Sequence, residues 1–355
     1  MVNPSSGEHR IFVGTYTRGT SLGIYAVTLD ARSGALGTPR LAATTPNPTF
    51  IALSPDRRFL YAVCANDAWA CSFGIDPATL ALTPVQQAPA GTGPTPCHIS
   101  VDAAGAVAVA ANYHLGLAAA FGLNADGTLG KPCVVAHSGK GPHPTRQDVP
   151  HVHSAYFSPD GVYALVCDLG LDRVYTYRLG RNPASLCTGP ASFTTTAPGA
   201  GPRHLAFGAD GRRVYVINEL ANTVAAYGYD APSGRLSPLQ TVSVLPEGYQ
   251  GEAKAAEVRV HPGGRFLYGS CRGPDTLSVF GIDASTGLLS PIETIGCGGK
   301  GPRNFTLSPD GAWLVCAHQD SNSLSVFAVD AVTGRLSRSG GMASVSMPVC
   351  LAFFD

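Results

Sequence analysis

A short polar turn that recurs along the whole chain is the feature that most restricts the possible fold. Its clearest copy, Ser158-Pro159-Asp160-Gly161, lies between two apolar runs. Proline presets the first dihedral of such a turn, aspartate caps the turn through its side chain, and glycine accepts a positive φ. The turn therefore predicts a β-hairpin, whose open end lies away from the turn.

The turn recurs at a regular interval. Its third position is occupied successively by Asp56, Ala104, Asp160, Asp210, Gly263 and Asp310. The spacings between them are 48, 56, 50, 53 and 47 residues. Two further strands follow each hairpin, and little of the chain has helical periodicity. A period of about 50 residues with four short strands per repeat predicts a β-propeller.

The two ends of the chain supply one more blade. Residues 348–354 match the inner strand at 48–54 but have no hairpin partner after them. Residues 10–16 match the second strand at 58–64 but have no inner strand before them. Pairing the ends closes the ring and removes exposed sheet edges. We therefore predict an all-β fold, a single seven-bladed β-propeller with four antiparallel strands per blade over residues 10–355, after a disordered tail of residues 1–9.

The composition excludes several classes of function. The 355 residues carry no net charge and no basic block, which argues against nucleic acid as a partner. The first ten residues lack an apolar signal core, and no apolar run is long enough to cross a membrane, so we expect a cytoplasmic protein. The ten cysteines are scattered without a Cys-x-x-Cys pair, which favours buried, reduced thiols. We expect a monomer or a weak homodimer.

Polar side chains collect at one mouth of the predicted ring. The residues just before each inner strand and just after each second strand should meet there, because the two strands of a hairpin run antiparallel. This set is His98, His153, Arg203, His204, Glu219, Glu257, Arg272, Arg303, Asn304 and Gln319. Convergent polar groups at a concave mouth are the usual mark of a ligand site.

The residue types at this mouth indicate an anionic small molecule. Arginine presents a rigid fork of donors that suits carboxylate or phosphate. Glu219 and the histidines could transfer protons, and the arginines could stabilise an oxyanion, so the set suits the opening or closing of a lactone. Simpler interpretations stay open: a wet channel mouth, an internal Arg203–Glu219 ion pair, and a solvated Arg303. No zinc or calcium spacing is present, so we expect no metal and no cofactor.

Several motifs resemble those of the lactonase family of seven-bladed propellers, over residues 11–354. They are Pro150-His151-Val152-His153, Gly201-Pro202-Arg203-His204, Asn218-Glu219-Leu220, Phe266-Leu267-Tyr268 with Arg272-Gly273, and Gly301-Pro302-Arg303-Asn304-Phe305. The family includes propeller-type bacterial 6-phosphogluconolactonase and the fungal 3-carboxy-cis,cis-muconate lactonizing enzyme. The set of motifs identifies the family, but hydrolases and cycloisomerases share the scaffold.

The resemblance implies a metal-independent site at the channel mouth. Arg203, Glu219 and Arg272 match the family's arginines and glutamate, and the catalytic histidine falls on His153 or His151. The position in the repeat favours His153, which takes the ring position equivalent to Arg203. The expected substrate-binding residues are His98, His151, His204, Glu257, Arg303, Asn304 and Gln319.

The leading hypothesis is a lactonase that hydrolyses an anionic sugar lactone, above all 6-phosphogluconolactone. Arg203 and Arg272 would bind phosphate or carboxylate and stabilise the oxyanion, while Glu219, alone or with His153, would activate water. The alternative is a lactone-forming or lactone-isomerising enzyme for muconate-type acids. A third possibility is a non-catalytic propeller that binds a protein or peptide.

Overall fold

The structure is a computed structural model that describes residues 7–64, 68–89, 96–181, 184–186 and 191–355. These ranges form 30 β-strands and one 3₁₀ turn, Leu169–Leu171. Seven four-stranded antiparallel sheets follow one another around a ring, and one two-stranded ribbon is added to them. In the described ranges no helix is long and apolar enough to span a membrane. The predicted seven-bladed all-β propeller is confirmed.

Blades 1 to 3 take up the first third of the chain and its last strand. Blade 1 contains β1 (Glu8–Thr15), β2 (Gly23–Asp30), β3 (Arg40–Thr44) and β30 (Pro348–Phe353). Blade 2 contains β4 (Phe50–Leu53), β5 (Phe59–Val63), β6 (Ala68–Ile75) and β7 (Leu82–Pro89). Blade 3 contains β8 (His98–Val101), β9 (Val107–Asn112), β10 (Leu117–Gly122) and β11 (Cys133–Ala136).

Blades 4 and 5 occupy the middle of the chain. Blade 4 contains β12 (Val152–Phe157), β13 (Tyr163–Asp168), β14 (Arg173–Arg178) and β17 (Ser192–Thr195). The separate ribbon pairs β15 (Gly180–Arg181) with β16 (Ala184–Ser185). Blade 5 contains β18 (Pro202–Phe207), β19 (Arg213–Asn218), β20 (Thr223–Asp230) and β21 (Arg235–Ser243).

Blades 6 and 7 complete the ring. Blade 6 contains β22 (Lys254–Val260), β23 (Phe266–Arg272), β24 (Thr276–Ile282) and β25 (Leu289–Gly296). Blade 7 contains β26 (Pro302–Leu307), β27 (Trp313–His318), β28 (Ser323–Val329) and β29 (Leu336–Ser344). The innermost strand of blade 7 packs beside β30, which returns the ring to blade 1.

The two chain ends close the ring as the sequence predicts. In blade 1, β1 pairs antiparallel with β30, and Ile11 lies opposite Phe353. The Arg10 guanidinium adds a side-chain clasp, with its Nε 2.9 Å from Oδ1 of Asp355. The first strand begins at Glu8, so Glu8 and His9 belong to the sheet, although we expected the tail to run through residue 9. Pairing with β2 extends to these residues, which orders them.

The recurrent turns have the predicted chemistry. The Ser158 hydroxyl donates to Oδ1 of Asp160 across 2.5 Å and accepts a hydrogen bond from the backbone N–H of Tyr163. Gly161 has a φ of 66°, a conformation that disfavours residues with a Cβ. Apolar side chains of neighbouring blades pack between the sheets, for example Ile11 of blade 1 with Val315 of blade 7. These contacts hold neighbouring blades together around the channel.

One expectation about the cysteines is wrong. Cys64, just after β5, is joined to Cys71 in β6 by a disulfide, although we expected only reduced thiols. The two residues lie on adjacent strands with their Cα atoms 6.3 Å apart, a spacing that suits a disulfide. Seven other cysteines in the described part of the chain are free.

Candidate active site

The side chains at the channel mouth are placed by β-bulges in the inner strands. In blade 4, Val152 pairs with Asp168 while Ser154 pairs with Cys167, so His153 is an extra residue in its strand. Arg203 and Arg303 occupy the same bulge position in blades 5 and 7. A bulge re-aims a side chain at the rim of a sheet, so these three residues turn toward the mouth.

The mouth holds a cavity of about 660 Å³, a size typical of small-molecule sites. Fourteen residues line the cavity, and five of them carry cationic side chains. The lining residues are Tyr16, Arg18, Asn47, Thr49, Pro96, Cys97, Tyr113, His114, Arg146, His153, Glu219, Lys254, Arg272 and Arg303. The structure thus brings together three of the four predicted catalytic residues, His153, Glu219 and Arg272, at one cavity.

Glu219 is the centre of an arginine network. Its Oε2 accepts hydrogen bonds from Nε of Arg203 at 3.0 Å and from Nη2 of Arg272 at 2.9 Å. Its Oε1 accepts from Nη2 of Arg146 at 2.5 Å. Both carboxylate oxygens are therefore engaged by cations from three different parts of the chain.

The charges of this network decide the protonation state of Glu219. Burial by itself would raise the pKa of the carboxyl, but Arg272 and Arg203 outweigh that effect and hold the pKa well below its usual range. Burial and the neighbouring charges of Arg303 and Arg272 lower the pKa of Arg203 to about 10, so Arg203 stays protonated at neutral pH. Glu219 is consequently an anion at neutral pH.

Arg203 lies behind the residues that line the cavity. Its side chain is buried, and its Nη1 donates to the backbone oxygen of Ala256 at 2.5 Å. With Nε on Glu219, the guanidinium is fixed between blades 5 and 6. Arg203 is therefore placed to hold Glu219, and it does not line the cavity in this structure.

Arg146 is a site residue that the sequence reasoning missed. It lies between β11 and β12, in a segment anchored by the buried side chain of Gln147, whose Nε2 donates to Leu169 and Asp172 at 2.8 and 2.7 Å. Arg146 also approaches the Tyr113 hydroxyl at 3.4 Å. The repeat pattern offers no signal for Arg146, because this connection is outside the strands that were aligned.

The two candidate histidines have different positions. His153 lines the cavity, is 4% exposed, and has a buried Nδ1 that finds no hydrogen-bond partner among the described residues. His151 lies outside the cavity lining, stacks on Tyr113 at 4.2 Å between ring centroids, and contacts the Tyr113 carbonyl through Nδ1 at 2.9 Å. The structure therefore places His153 at the cavity and His151 outside its lining.

His153 is a neutral imidazole. Burial, followed by the positive charge of Arg203, holds the pKa of His153 well below its usual range. Cys97, beside it, is a thiol, because burial raises the pKa of Cys97 to about 11. The Cys97 Sγ lies 3.1 Å from the backbone oxygen of His153, which it can reach as a donor. A protonated thiol is a poor nucleophile, whereas a neutral imidazole can accept a proton.

Four other predicted residues form a buried layer in the channel below the cavity. They are His98, His204, Glu257 and Asn304. Oε2 of Glu257 contacts Nδ1 of His204 at 3.2 Å and accepts from Nδ2 of Asn304 at 2.5 Å. These side chains support the floor and do not line the cavity.

The last two predicted site residues, Arg303 and Gln319, also differ in whether they line the cavity. Arg303 lines the cavity, whereas Gln319 faces a neighbouring depression together with Asn322 and Met347. Sequence reasoning also missed Arg18 and Lys254, which line the cavity from positions just outside the aligned ring. Over the ranges that the structure describes, no three His, Cys, Asp or Glu side chains are grouped closely enough to hold a metal ion.

Comparison with known proteins agrees with this fold. A family model, the seven-bladed β-propeller lactonases, matches residues 10–353. A 6-phosphogluconolactonase of Bacillus subtilis is 38% identical over 96% of this chain and 97% of its own length. A 6-phosphogluconolactonase of Formosa agariphila is 30% identical over 85% of this chain and 87% of its own.

A solved structure extends the comparison. The periplasmic gluconolactonase of Pseudomonas aeruginosa superposes with a TM-score of 0.89 at 34% identity, covering 98% of this chain and 99% of that one. The chain is thus an enzyme of the lactonase class, defined by a propeller with a polar channel mouth. It belongs to the family of seven-bladed β-propeller lactonases.

Proposed function

We propose that this enzyme hydrolyses an anionic sugar lactone, with 6-phosphogluconolactone as its substrate and 6-phosphogluconate as its product. The observation that carries the proposal is the cavity lining, where five cationic side chains surround a single carboxylate and face a neutral histidine. The two relatives that bear the name 6-phosphogluconolactonase support the choice of a phosphorylated lactone.

His153 is the better general base of the two candidates. The Glu219 carboxylate has both oxygens occupied by arginines, and its lowered pKa makes it a weak acceptor of protons. His153 lines the cavity, its buried Nδ1 has no hydrogen-bond partner among the described residues, and its imidazole is already neutral. Bound anionic substrate would offset part of the arginine charge and make the imidazole more basic. We therefore assign activation of water to His153 and positioning of the arginines to Glu219.

The reaction balances with these groups. His153 takes a proton from water as the water oxygen bonds to the lactone carbonyl carbon, which gives a tetrahedral oxyanion. The oxyanion re-forms the carbonyl and breaks the bond to the ring oxygen, and that oxygen receives the proton from the imidazolium. The carboxylic acid product then loses a proton to solvent. General base catalysis of this kind contributes roughly 10²- to 10⁴-fold.

The arginines supply the electrostatic stabilisation of the tetrahedral oxyanion. Arg272 and Arg146 both line the cavity and are fixed on Glu219, so their positive charges are in place before the oxyanion develops. Because the network is charged and rigid, little reorganisation accompanies the reaction. The same arrangement needs no metal ion, and metal independence is part of the proposal.

The test is hydrolysis by the purified protein. Acid release from freshly generated 6-phosphogluconolactone is compared with release from unphosphorylated gluconolactone, each corrected for spontaneous opening. We expect a higher kcat/KM for the phosphorylated lactone. Failure to hydrolyse either lactone would reject the proposal and move attention to muconate-type acids, and after them to a binding role.

Location and assembly stay predictions. The Pseudomonas relative is periplasmic, so a cytoplasmic location for this chain is a proposal only. The same holds for the expectation of a monomer or weak homodimer without a nucleic-acid partner.

A further inference from the structure

The cationic residues of the cavity fall into two groups. Arg146 and Arg272 are paired with Glu219. Arg18, Lys254 and Arg303 have no carboxylate within 4.0 Å among the residues that the structure describes. The second group therefore carries positive charge that the protein does not neutralise.

Two of these unpaired cations share one wall of the cavity. The guanidinium carbon of Arg18 lies 4.2 Å from the centre of the Tyr16 ring, and that of Arg303 lies 5.8 Å from it. The backbone N–H of Tyr16 is fixed by the Met347 carbonyl at 3.0 Å. The ring thus positions both cations by cation–π contact without using up their hydrogen-bond donors. We call Tyr16, Arg18 and Arg303 the Tyr16 wall.

The Tyr16 wall lies across the channel from the proposed base. Tyr16 and Arg18 follow β1 of blade 1, and Arg303 belongs to β26 of blade 7. His153 is in blade 4, three blades from each, which is the greatest separation in a ring of seven. The charge of Arg303 still acts within the cavity, because after burial it is the largest cause of the lowered pKa of Arg203.

We propose that the Tyr16 wall is the subsite for the substrate's non-reacting phosphate, which binds between the guanidiniums of Arg303 and Arg18. This inference rests on the proposed function and changes the assignment of residues within it. From the sequence we expected Arg203 and Arg272 to bind the phosphate, but both donate hydrogen bonds to the Glu219 carboxylate. In a phosphorylated sugar lactone the phosphate is carried outside the ring on C6, away from the C1 carbonyl. The Tyr16 wall takes this group while the carbonyl faces His153 and Arg272.

The same geometry explains how a phosphorylated lactone is preferred. Each guanidinium can donate two parallel hydrogen bonds to phosphate oxygens. An unphosphorylated lactone leaves both guanidiniums without an acceptor, so it gains nothing from the wall. Lys254, at the start of β22, also lines the cavity, but it lies opposite Arg272 in the β22–β23 pair and is not part of the Tyr16 wall.

Substrate discrimination in matched variants tests the subsite. Arg303→Gln and Arg18→Gln each remove one cation of the wall, and Arg303→Lys retains the charge but loses the forked pair of guanidinium donors. The control is Lys300→Gln, which removes an exposed cation near Arg303 that is outside the cavity lining. We expect the ratio of kcat/KM for 6-phosphogluconolactone to that for gluconolactone to fall at least tenfold in Arg303→Gln, mainly through KM. The loss should be smaller in Arg303→Lys and absent in Lys300→Gln.

Equal losses on the two lactones in Arg303→Gln would place Arg303 at the reacting carbonyl and overturn the inference, as would an unchanged ratio. A binding measurement separates this failure from failure of the proposed function. Calorimetry with 6-phosphogluconate and gluconate should show tighter binding of the phosphorylated acid to the wild type, and at least a tenfold weaker affinity for it in Arg303→Gln. If the wild type hydrolyses neither lactone, the proposed function fails and calorimetry decides the subsite; equal affinities for the two acids would reject it.

Discussion

Arg272 donates from Nη2 to Oε2 of Glu219 across 2.9 Å, although the two residues are 53 positions apart. Glu219 directly follows β19 of blade 5 and Arg272 ends β23 of blade 6, and the ring brings the ends of these second strands together. Arg203 shares the same oxygen, and Arg146 takes the other. The consequence is a carboxylate whose role is to hold three cations in place at the channel mouth.

Replacement of Glu219 should therefore affect both activity and stability. Glu219→Gln leaves Arg203 buried without its counter-charge, and loss of one partner from a buried ion pair costs about 3–5 kcal/mol in the free energy of unfolding. We also expect kcat/KM to fall at least a hundredfold. Chemical denaturation and lactone hydrolysis measure the two effects.

The matched control for Glu219→Gln is Glu293→Gln. Glu293 pairs with Arg335 at 2.8 Å, but Arg335 is largely exposed, so the cost should be about 1 kcal/mol or less. Equal stabilities for wild type and Glu219→Gln would show that the network does not support the fold.

The pH dependence of stability provides a second test of the network. The folded-state pKa of Glu219 is depressed below the ordinary value of 4.5, so its stabilising contribution is present above that pH. The contribution is lost as the pH falls from 4.5 toward the lower folded-state pKa. We expect the stability difference between wild type and Glu219→Gln to be constant at neutral pH and to shrink below pH 4.5. A difference that grows on acidification would contradict the sign of the shift.

Arg146 should contribute to catalysis without supporting the fold. Its side chain is partly exposed on a connection between blades, and Arg146→Met removes a positive charge from the cavity while Arg203 and Arg272 still neutralise Glu219. We expect kcat/KM to fall about 10- to 100-fold with little change in melting temperature. Lys140→Met, an exposed cation on the same connection, is the control and should be near wild type. Equal activities in the two variants would remove Arg146 from the site.

Chelation should leave the activity unchanged. The proposed oxyanion and phosphate partners are arginines, which cannot be removed by a chelator. The measurement is kcat/KM after dialysis against EDTA and again after addition of Mg²⁺, Ca²⁺ or Zn²⁺. Loss of activity that one of these ions restores would contradict metal independence.

The fold could be predicted from the sequence because its signals are local and repeated. Each turn like Ser158-Pro159-Asp160-Gly161 specifies one hairpin, and the matching ends at Ile11 and Phe353 specify closure. The disulfide could not be predicted in this way. Cys64 and Cys71 meet because two strands are adjacent, and nothing in their seven-residue separation distinguishes them from the scattered free thiols.

The site was predictable only where it follows the repeat. Counting from the turn found His153, Arg203 and Arg303 because the same bulge occurs in blades 4, 5 and 7. The next residue in each strand, such as His204, returns to the ordinary pleat and lies in the channel below. Arg18 and Arg146 lie on connections, where position in three dimensions depends on anchors such as Gln147 that no repeat specifies.

Substitution of each candidate histidine tests most directly whether His153 is the general base. His153→Asn and His151→Asn are compared with the wild type for kcat on freshly generated 6-phosphogluconolactone. The account predicts a loss of roughly 10²- to 10⁴-fold in His153→Asn, with KM little changed, and a loss of a few-fold at most in His151→Asn. Because the pKa of His153 is depressed, kcat/KM of the wild type should stay constant as the pH falls to 6.5. Full activity in His153→Asn, or a larger loss in His151→Asn, would contradict the assignment of the base.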